Sequence, residues 1–295
     1  MGAVSELTDG VVTLRVRREQ DGTHLFAVGA DDTDVGSVCV SELPGGRGRL
    51  TWELAPDFTG NGYATRATRL LVDYAFRALR LERVEALVDP GNERAMRVAT
   101  RSGLRREGVL RGVGPTDDGR EDRVVLARLA TDPPITEAGG FRALLNSFLP
   151  RKRAIAQLLV RDAQGRVLLC RLTYKSDHDL PGGVVEVGES PQQAVAREVE
   201  EELGLSLTAE RLLLTDWLPP WGGWDDALCL VFDGGVVDPA VLDESVLQDR
   251  EIRSVEFCTA AEVRERCADF TARRVEAALH ALEAGGPTYT ESGRG

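Results

Sequence analysis

The spacing of apolar positions changes rhythm along the chain, and each change marks an element. From Val11 the runs VVTLRV, HLFAV, VGSVCV and RLTWEL alternate or stay apolar, with turn residues at Asp21-Gly22, Asp31-Asp32 and Pro44-Gly45-Gly46 between them. Runs of this kind between such turns predict four β-strands. The rhythm then shifts to a helical period. Leu70, Leu71, Tyr74, Ala75, Ala78 and Leu79 give one face of a helix over about residues 64–79. Residues 84–89 (VEALVD) return to strand, followed by a turn, a short helix, Gly103 and a further strand. Thr131-Asp132-Pro133-Pro134 and Gly139-Gly140 break both rhythms, and FRALLNSFLP reads as a short helix leading into a second domain.

Beyond this join, AIAQLLVRDAQGRVLLCRL has the pattern of a hairpin, LTAERLLLTDWL, DDALCLVFDGG and EIRSVEFCT read as strands, and the stretch from Thr259 supplies C-terminal helices. GGPTYTESGRG reads as a frayed tail. The expected division is a first domain over 1–130, a linker and lead-in helix over 131–152, a second domain over 153–284 and a disordered tail over 285–295. The two halves share no motif order and are not a duplication.

The most informative stretch is GVVEVGESPQQAVAREVEEELGL, residues 183–205. Ser190 suits an N-cap, Pro191 suits the first helical position, Gln193 closes a capping box, and Gly204 suits the residue after the helix. Val195, Val199 and Leu203 form an apolar stripe for burial against a sheet. Glu198, Glu201 and Glu202 stand at i, i+3 and i+4 and project from one helix face. Like charges so placed destabilise an isolated helix, and hard carboxylate oxygens suit Mg²⁺ or Mn²⁺. Gly182 and Gly183 allow a tight turn and close backbone approach.

This stretch resembles the Nudix box: G, five residues, E, seven residues, then R-E-U-x-E-E-x-G-U with U apolar. Gly183, Glu189, Arg197, Glu198, Val199, Glu201, Glu202, Gly204 and Leu205 match every fixed position. The resemblance implies a hydrolase of nucleoside diphosphates linked to another group, with divalent metal held by Glu198, Glu201 and Glu202. It also implies that Glu189 and Arg197 tie the loop to the helix, and that a downstream residue such as Glu251 or Glu256 adds a ligand or base.

The first domain carries a second signature. Gly60 and Gly62 stand between a strand and a helix N-terminus, whose free backbone N–H groups suit a phosphate. With the strand and helix that follow, the order resembles the GNAT acetyltransferases over most of residues 10–130. Their loop pattern Q/R-x-x-G-x-G/A falls on Thr59, Gly60, Asn61, Gly62, Tyr63 and Ala64, with Gly62 and Ala64 matching and Thr59 replacing the usual Arg or Gln. Asn92 and Gly103-Leu104 sit where the family has its Asn and its Gly-Phe. The resemblance implies that Gly60, Asn61, Gly62, Tyr63, Ala64, Thr65 and Asn92 hold acetyl-CoA, and that the acceptor is an amine. Glu53 is the candidate base, acting through water. The helices that usually wall the acceptor pocket are missing, since residues 16–24 leave room only for a turn.

Together the two resemblances imply an α/β (α+β) chain of two domains, a GNAT-like mixed sheet with helices and a Nudix α/β/α sandwich. The preferred reading is a metal-dependent hydrolase of a diphosphate bond fused to an acetyl-CoA-binding domain. The alternative is primarily an N-acetyltransferase with the second domain as a nucleotide-binding regulatory module. Net charge adds a restriction: at −12 the chain argues against nucleic-acid binding. No apolar run is long enough to span a membrane. Cys39, Cys170, Cys229, Cys258 and Cys267 show no metal or disulfide spacing, and no signal peptide is evident, so a cytoplasmic location is expected. Further candidates are Arg171, Lys175 and His178, placed to meet substrate phosphates, and Trp217, Trp221 and Trp224, placed in a Pro/Gly loop suited to stacking a base. CoA is a minor candidate for the hydrolase, because the stretch before the box lacks the extra motif of Nudix CoA hydrolases.

Overall fold

The computed structural model describes residues 6–31, 33–116 and 119–295, so Asp32 of the Asp31-Asp32 turn lies outside the described residues. The chain divides into two compact units, one ending at Pro150 and one starting at Arg151. Among the described residues no helix is long and apolar enough to cross a membrane.

The first unit runs β1 (Glu6–Thr8), β2 (Val12–Gln20), β3 (Thr23–Ala30), β4 (Thr33–Leu43), β5 (Arg47–Leu54), α1 (Tyr63–Arg77), β6 (Arg83–Val88), α2 (Glu93–Arg101), β7 (Arg105–Thr116), β8 (Gly119–Leu129) and α3 (Ala138–Phe148). Its sheet order is β1-β2-β3-β4-β5-β6-β8-β7. Asp21 and Gly22 both take positive φ, which lets β2 turn directly into β3 with Gln20 opposite Thr23. Leu14, Phe26, Val38, Val40 and Leu50 bury against Leu71, Val72 and Ala75 of α1. Burying each large aliphatic side chain contributes roughly 1.5–3 kcal/mol, against tenths from helix propensity, so packing holds α1 in place. β5 and β6 are parallel and pair only over Arg47–Arg49 and Arg83–Glu85. Beyond that point β5 continues to Leu54 and β6 to Val88 without pairing to each other, leaving a wedge between them.

Helix α3 corrects the expected boundary. It packs against β7, the Arg106 amide donates to Ser147 Oγ at 3.1 Å, and Phe148 joins the first core. The segment over 138–148 therefore belongs to the first unit rather than leading into the second. Gly139-Gly140 looked like a breaker but opens the helix. A Cβ on Gly140 would strike the Pro134 carbonyl, so glycine is what permits this close crossing.

The second unit runs β9 (Arg153–Arg161), β10 (Val167–Leu172), β11 (His178–Asp179), β12 (Gly182–Val184), α4 (Pro191–Leu203), β13 (Leu212–Leu218), β14 (Ala227–Val236), β15 (Ile252–Cys258), α5 (Ala260–Arg266), α6 (Asp269–Ala284) and β16 (Thr288–Glu291). The sheet order is β11-β10-β9-β14-β13-β16, with β12 also on β9 and β15 also on β10. Alternation along β9 feeds two cores. Ala156, Leu158 and Val160 pack with Val195, Val199 and Leu203 of α4. Leu159 packs with Val263 of α5 and with Val275 and Ala278 of α6. The result is a three-layer α/β/α sandwich.

The tail expected to be disordered is a strand instead. β16 runs parallel to β13, and Thr290 is 3% exposed. The reason is the fully buried carboxylate of Asp216, which needs donors. Thr290 Oγ1 donates to it at 2.7 Å, the Gly293 amide at 2.8 Å and Arg274 Nε at 2.9 Å.

Candidate functional site

Helix α4 is specified locally. Ser190 Oγ accepts from the Gln193 amide at 3.3 Å, Gln193 Oε1 accepts from the Ser190 amide at 3.1 Å, and Gly204 ends the helix at φ 67°. Val195, Val199 and Leu203 are fully buried, which fixes the rotation of the helix and aims Glu198 and Glu202 at β12. A Cβ on Gly183 would lie 2.6 and 2.7 Å from the Glu198 carboxylate oxygens, so glycine is required for that carboxylate to rest on the backbone. The Gly182 amide donates to Glu202 Oε2 at 3.3 Å.

Arg197 braces this arrangement. It donates to Glu189 at 2.8 and 3.2 Å, to Glu198 at 3.0 Å, to Glu201 at 3.0 Å and to the Val184 carbonyl at 3.4 Å. Glu189 also accepts from the Glu186 amide at 2.8 Å. The loop between β12 and α4 is thereby tied to the helix, and these bonds hold the Glu189 carboxyl below its ordinary range.

The three carboxylates on one helix face do not converge. Glu201 lies on the solvent side, its side chain 60% exposed and turned to Arg197. Glu198 and Glu202 point inward, and Glu202 is 7% exposed. Burial pushes the Glu202 carboxyl up to about 8, with the charges of Glu198, Glu251 and Asp179 acting the same way. Burial also raises Glu198, where Glu201 and Glu251 add to the effect and Arg197 opposes it. Among the described residues no three His, Cys, Asp or Glu side chains form a preset metal cage. Even so, the chemistry of Glu198 and Glu202 fits a divalent cation. Both are hard oxygen donors, and among the described residues only the Gly182 amide donates to Glu202.

Other expected residues are committed elsewhere. Glu256 pairs with His178 at 3.2 Å and with Arg266 at 2.5 Å, whereas Glu251 acts on Glu198 and Glu202 through its charge. Lys175 pairs with Asp179 at 2.6 Å and Arg171 is exposed. Asp179 was not foreseen. Burial would raise its carboxyl, but Lys175 and Arg274 hold it below the ordinary value. Trp221 and Trp224 are 61% and 58% exposed, and the Arg153 guanidinium stands 4.8 Å from the Trp224 ring centre. Their turn adjoins the start of β9, where Arg153 faces Ala227, close to the Val184–Ile155 pair of β12.

The first unit holds a cavity of about 730 Å³ where β5 and β6 part. Trp52 and Leu54 form an apolar wall, and Thr59, Gly60, Gly62, Ala64 and Thr65 form a second. Gly60 and Gly62 take φ 88° and 81°, and among the described residues no side chain caps the amides that begin α1. That end of the cavity is suited to an anion. Asn92 lines the cavity while its Oδ1 caps α2 by accepting from the Ala95 amide at 3.0 Å. Two expected ligand residues are not in the lining: Tyr63 packs on the apolar core and Asn61 is exposed. The first turn of a helix cannot aim every side chain into one hollow. Glu53 lies between Trp52 and Leu54 on β5, so strand alternation puts it on the opposite face from the cavity, exposed. Arg94, Arg97 and Arg101 complete the lining. Sequence reasoning passed over them, although their i, i+3, i+7 spacing was a readable signal.

Comparison with known proteins places each half of the chain in a family. Residues 5–105 match the family model described as Acetyltransferase (GNAT) domain, and residues 150–279 match that described as NUDIX domain. A probable N-acetyltransferase, YjcK of Bacillus subtilis, is 37% identical over 123 residues, covering 39% of this chain and 67% of that protein. A MutT-like protein of Streptomyces ambofaciens is 33% identical over 138 residues, covering 45% of this chain and 79% of that protein. A solved MutT protein from Methanosarcina mazei Go1 is 23% identical, covering 46% of this chain and 98% of that one, with a TM-score of 0.38. The chain belongs to both families, a GNAT acetyltransferase domain followed by a Nudix domain in one polypeptide.

Proposed function

We propose that the second unit hydrolyses a diphosphate bond in a nucleoside-diphosphate derivative with the help of Mg²⁺ or Mn²⁺. The observation that carries this reading is the inward pair Glu198 and Glu202, seated on Gly182-Gly183 and braced by Arg197 and Glu189. This pair offers a diphosphate no favourable charge and the nearby charge of Glu251 repels it, so the site requires a cation before it can take such a substrate. Bound there, the cation supplies charge neutralisation and a more acidic water. The chain's own contribution is positional. Arg197 holds the Glu198 carboxylate at 3.0 Å and ties down Glu189, while the buried α4 stripe keeps the helix from rotating. The exposed Trp224 under Arg153 offers a stacking surface for a base at the same end of β9.

The first unit binds acetyl-CoA in the wedge cavity and transfers its acetyl group to an amine. The favouring observation is the coincidence of the uncapped α1 amides with an apolar wall at Trp52 and Leu54. This leaves room for the second reading, an acetyltransferase whose Nudix unit binds nucleotide as a regulator. Release of cleavage products, read by chromatography, from a panel of nucleoside triphosphates, ADP-ribose, dinucleoside polyphosphates, nucleotide sugars and CoA, with Mg²⁺ or with EDTA, separates the two. Cation-dependent release from a member of the panel is expected. No release from any member would favour the regulatory reading.

A further inference from the structure

The cavity of the first unit has three kinds of wall, and the diphosphate reading uses only two. The third is the row Arg94, Arg97 and Arg101 on α2. These positions fall within an arc of about 60° on the helix and extend over about 10 Å along it. They therefore face the hollow together. Among the described residues, Arg97 alone of the three has a carboxylate partner, Glu93 at 3.5 Å, and both of those side chains are largely exposed. A surface pair of that kind contributes about 0–1 kcal/mol and does not cancel the row. Among the described residues the lining carries these three cations and no carboxylate, while Asp89 and Glu93 line an adjoining hollow with Arg94 and Arg97.

A diphosphate at the start of α1 has the backbone amides of the glycine turn to receive it. It does not need three guanidinium groups spread along a second helix. Arginine is suited to phosphate because its planar fork gives paired hydrogen bonds. The apolar wall at Trp52 and Leu54 suits a neutral arm instead. An elongated ligand with a neutral arm, a diphosphate and one more anionic group matches all three walls.

We infer that Arg94, Arg97 and Arg101 make this cavity selective for a nucleoside diphosphate bearing an additional ribose phosphate, such as the 3′-phosphate of CoA, over the same ligand without it. The inference rests on the reading of the first unit as a CoA site. The test is calorimetric titration of the full chain with CoA and with 3′-dephospho-CoA, for the unaltered protein and for the double variant Arg97→Ala, Arg101→Ala. CoA is expected to bind about tenfold or more tightly than 3′-dephospho-CoA. In the double variant the two ligands should bind alike, with the affinity for 3′-dephospho-CoA unchanged. Equal binding of the two ligands by the unaltered protein would overturn the selectivity and leave the CoA reading standing. An equal loss for both ligands in the double variant would overturn it too, by moving the arginines to the diphosphate. Binding of neither ligand would overturn the CoA reading and the selectivity together. The comparison of ligands on the unaltered protein stands even if the double variant fails to fold.

Discussion

The two candidate sites are built from opposite materials. In the second unit the working groups are side-chain carboxylates, crowded together on a braced helix. In the first unit they are backbone amides, arginines and the space left where two parallel strands part. The first arrangement is written at fixed residue spacing within a short stretch. The second depends on sheet register and on two helices brought together from different parts of the chain. On the proposed reading, an anionic site that recruits a cation contrasts with a cationic hollow that takes an anion directly.

Three perturbations sharpen that contrast, in order of expected effect. Gly183→Ala puts a Cβ against the Glu198 carboxylate. We expect cation-dependent hydrolysis to fall by about 100-fold, a loss of the size produced by misplacing a catalytic group by about 1 Å. CoA binding should not move, and calorimetry alongside the product-release assay checks both.

Removing residues 288–295 takes away two of the donors to the buried Asp216 carboxylate, Thr290 Oγ1 and the Gly293 amide. The expected cost is about 1–3 kcal/mol of stability in the second unit, read from urea unfolding. An unchanged midpoint would show that Arg274 alone satisfies Asp216.

The smallest expected effect, at most about 1.4 kcal/mol for each pH unit, is a stability slope with pH in EDTA. The Glu202 carboxyl is raised from an ordinary value of 4.5 to about 8 in the folded chain. The folded state therefore keeps a proton that the unfolded state gives up. Its stabilisation is fully present below about pH 4.5 and is lost as pH rises through about 8. The melting temperature of the second unit should fall across this window, Glu202→Gln should flatten the fall, and Mg²⁺ should reduce it. A slope that is the same in Glu202→Gln would assign it to other groups.

These tests also separate what was legible in the sequence from what was not. The α4 helix was readable because its determinants are local: Ser190 and Gln193 at one end, Gly204 at the other, and an apolar stripe between them. The charge cluster was readable as a cluster but not in its final form. Arg197 competes for Glu201 and draws it to solvent, and no spacing rule reports the outcome of such a competition. The tail looked unstructured because its composition is polar and glycine-rich. Its order comes from Asp216, more than seventy positions earlier in the chain. Helix α3 was assigned to the wrong unit for a related reason, since its anchor is the start of β7 rather than its neighbours in sequence. Glu53 could have been placed by alternation alone. Trp52 and Leu54 on either side of it were the apolar positions of that strand, and they are the ones that line the cavity.

The most direct measurement uses Glu198→Gln and Glu202→Gln, each assayed for Mg²⁺-dependent release of diphosphate-cleavage products and for CoA binding in the same preparation. Our account predicts that either substitution reduces release by about 100-fold or more, in line with losing a group that holds a catalytic cation. CoA binding should stay at the level of the unaltered protein, because the cavity that holds it is built entirely within the first unit. Release that persists in both variants would contradict the assignment of the inward carboxylate pair as the hydrolytic centre.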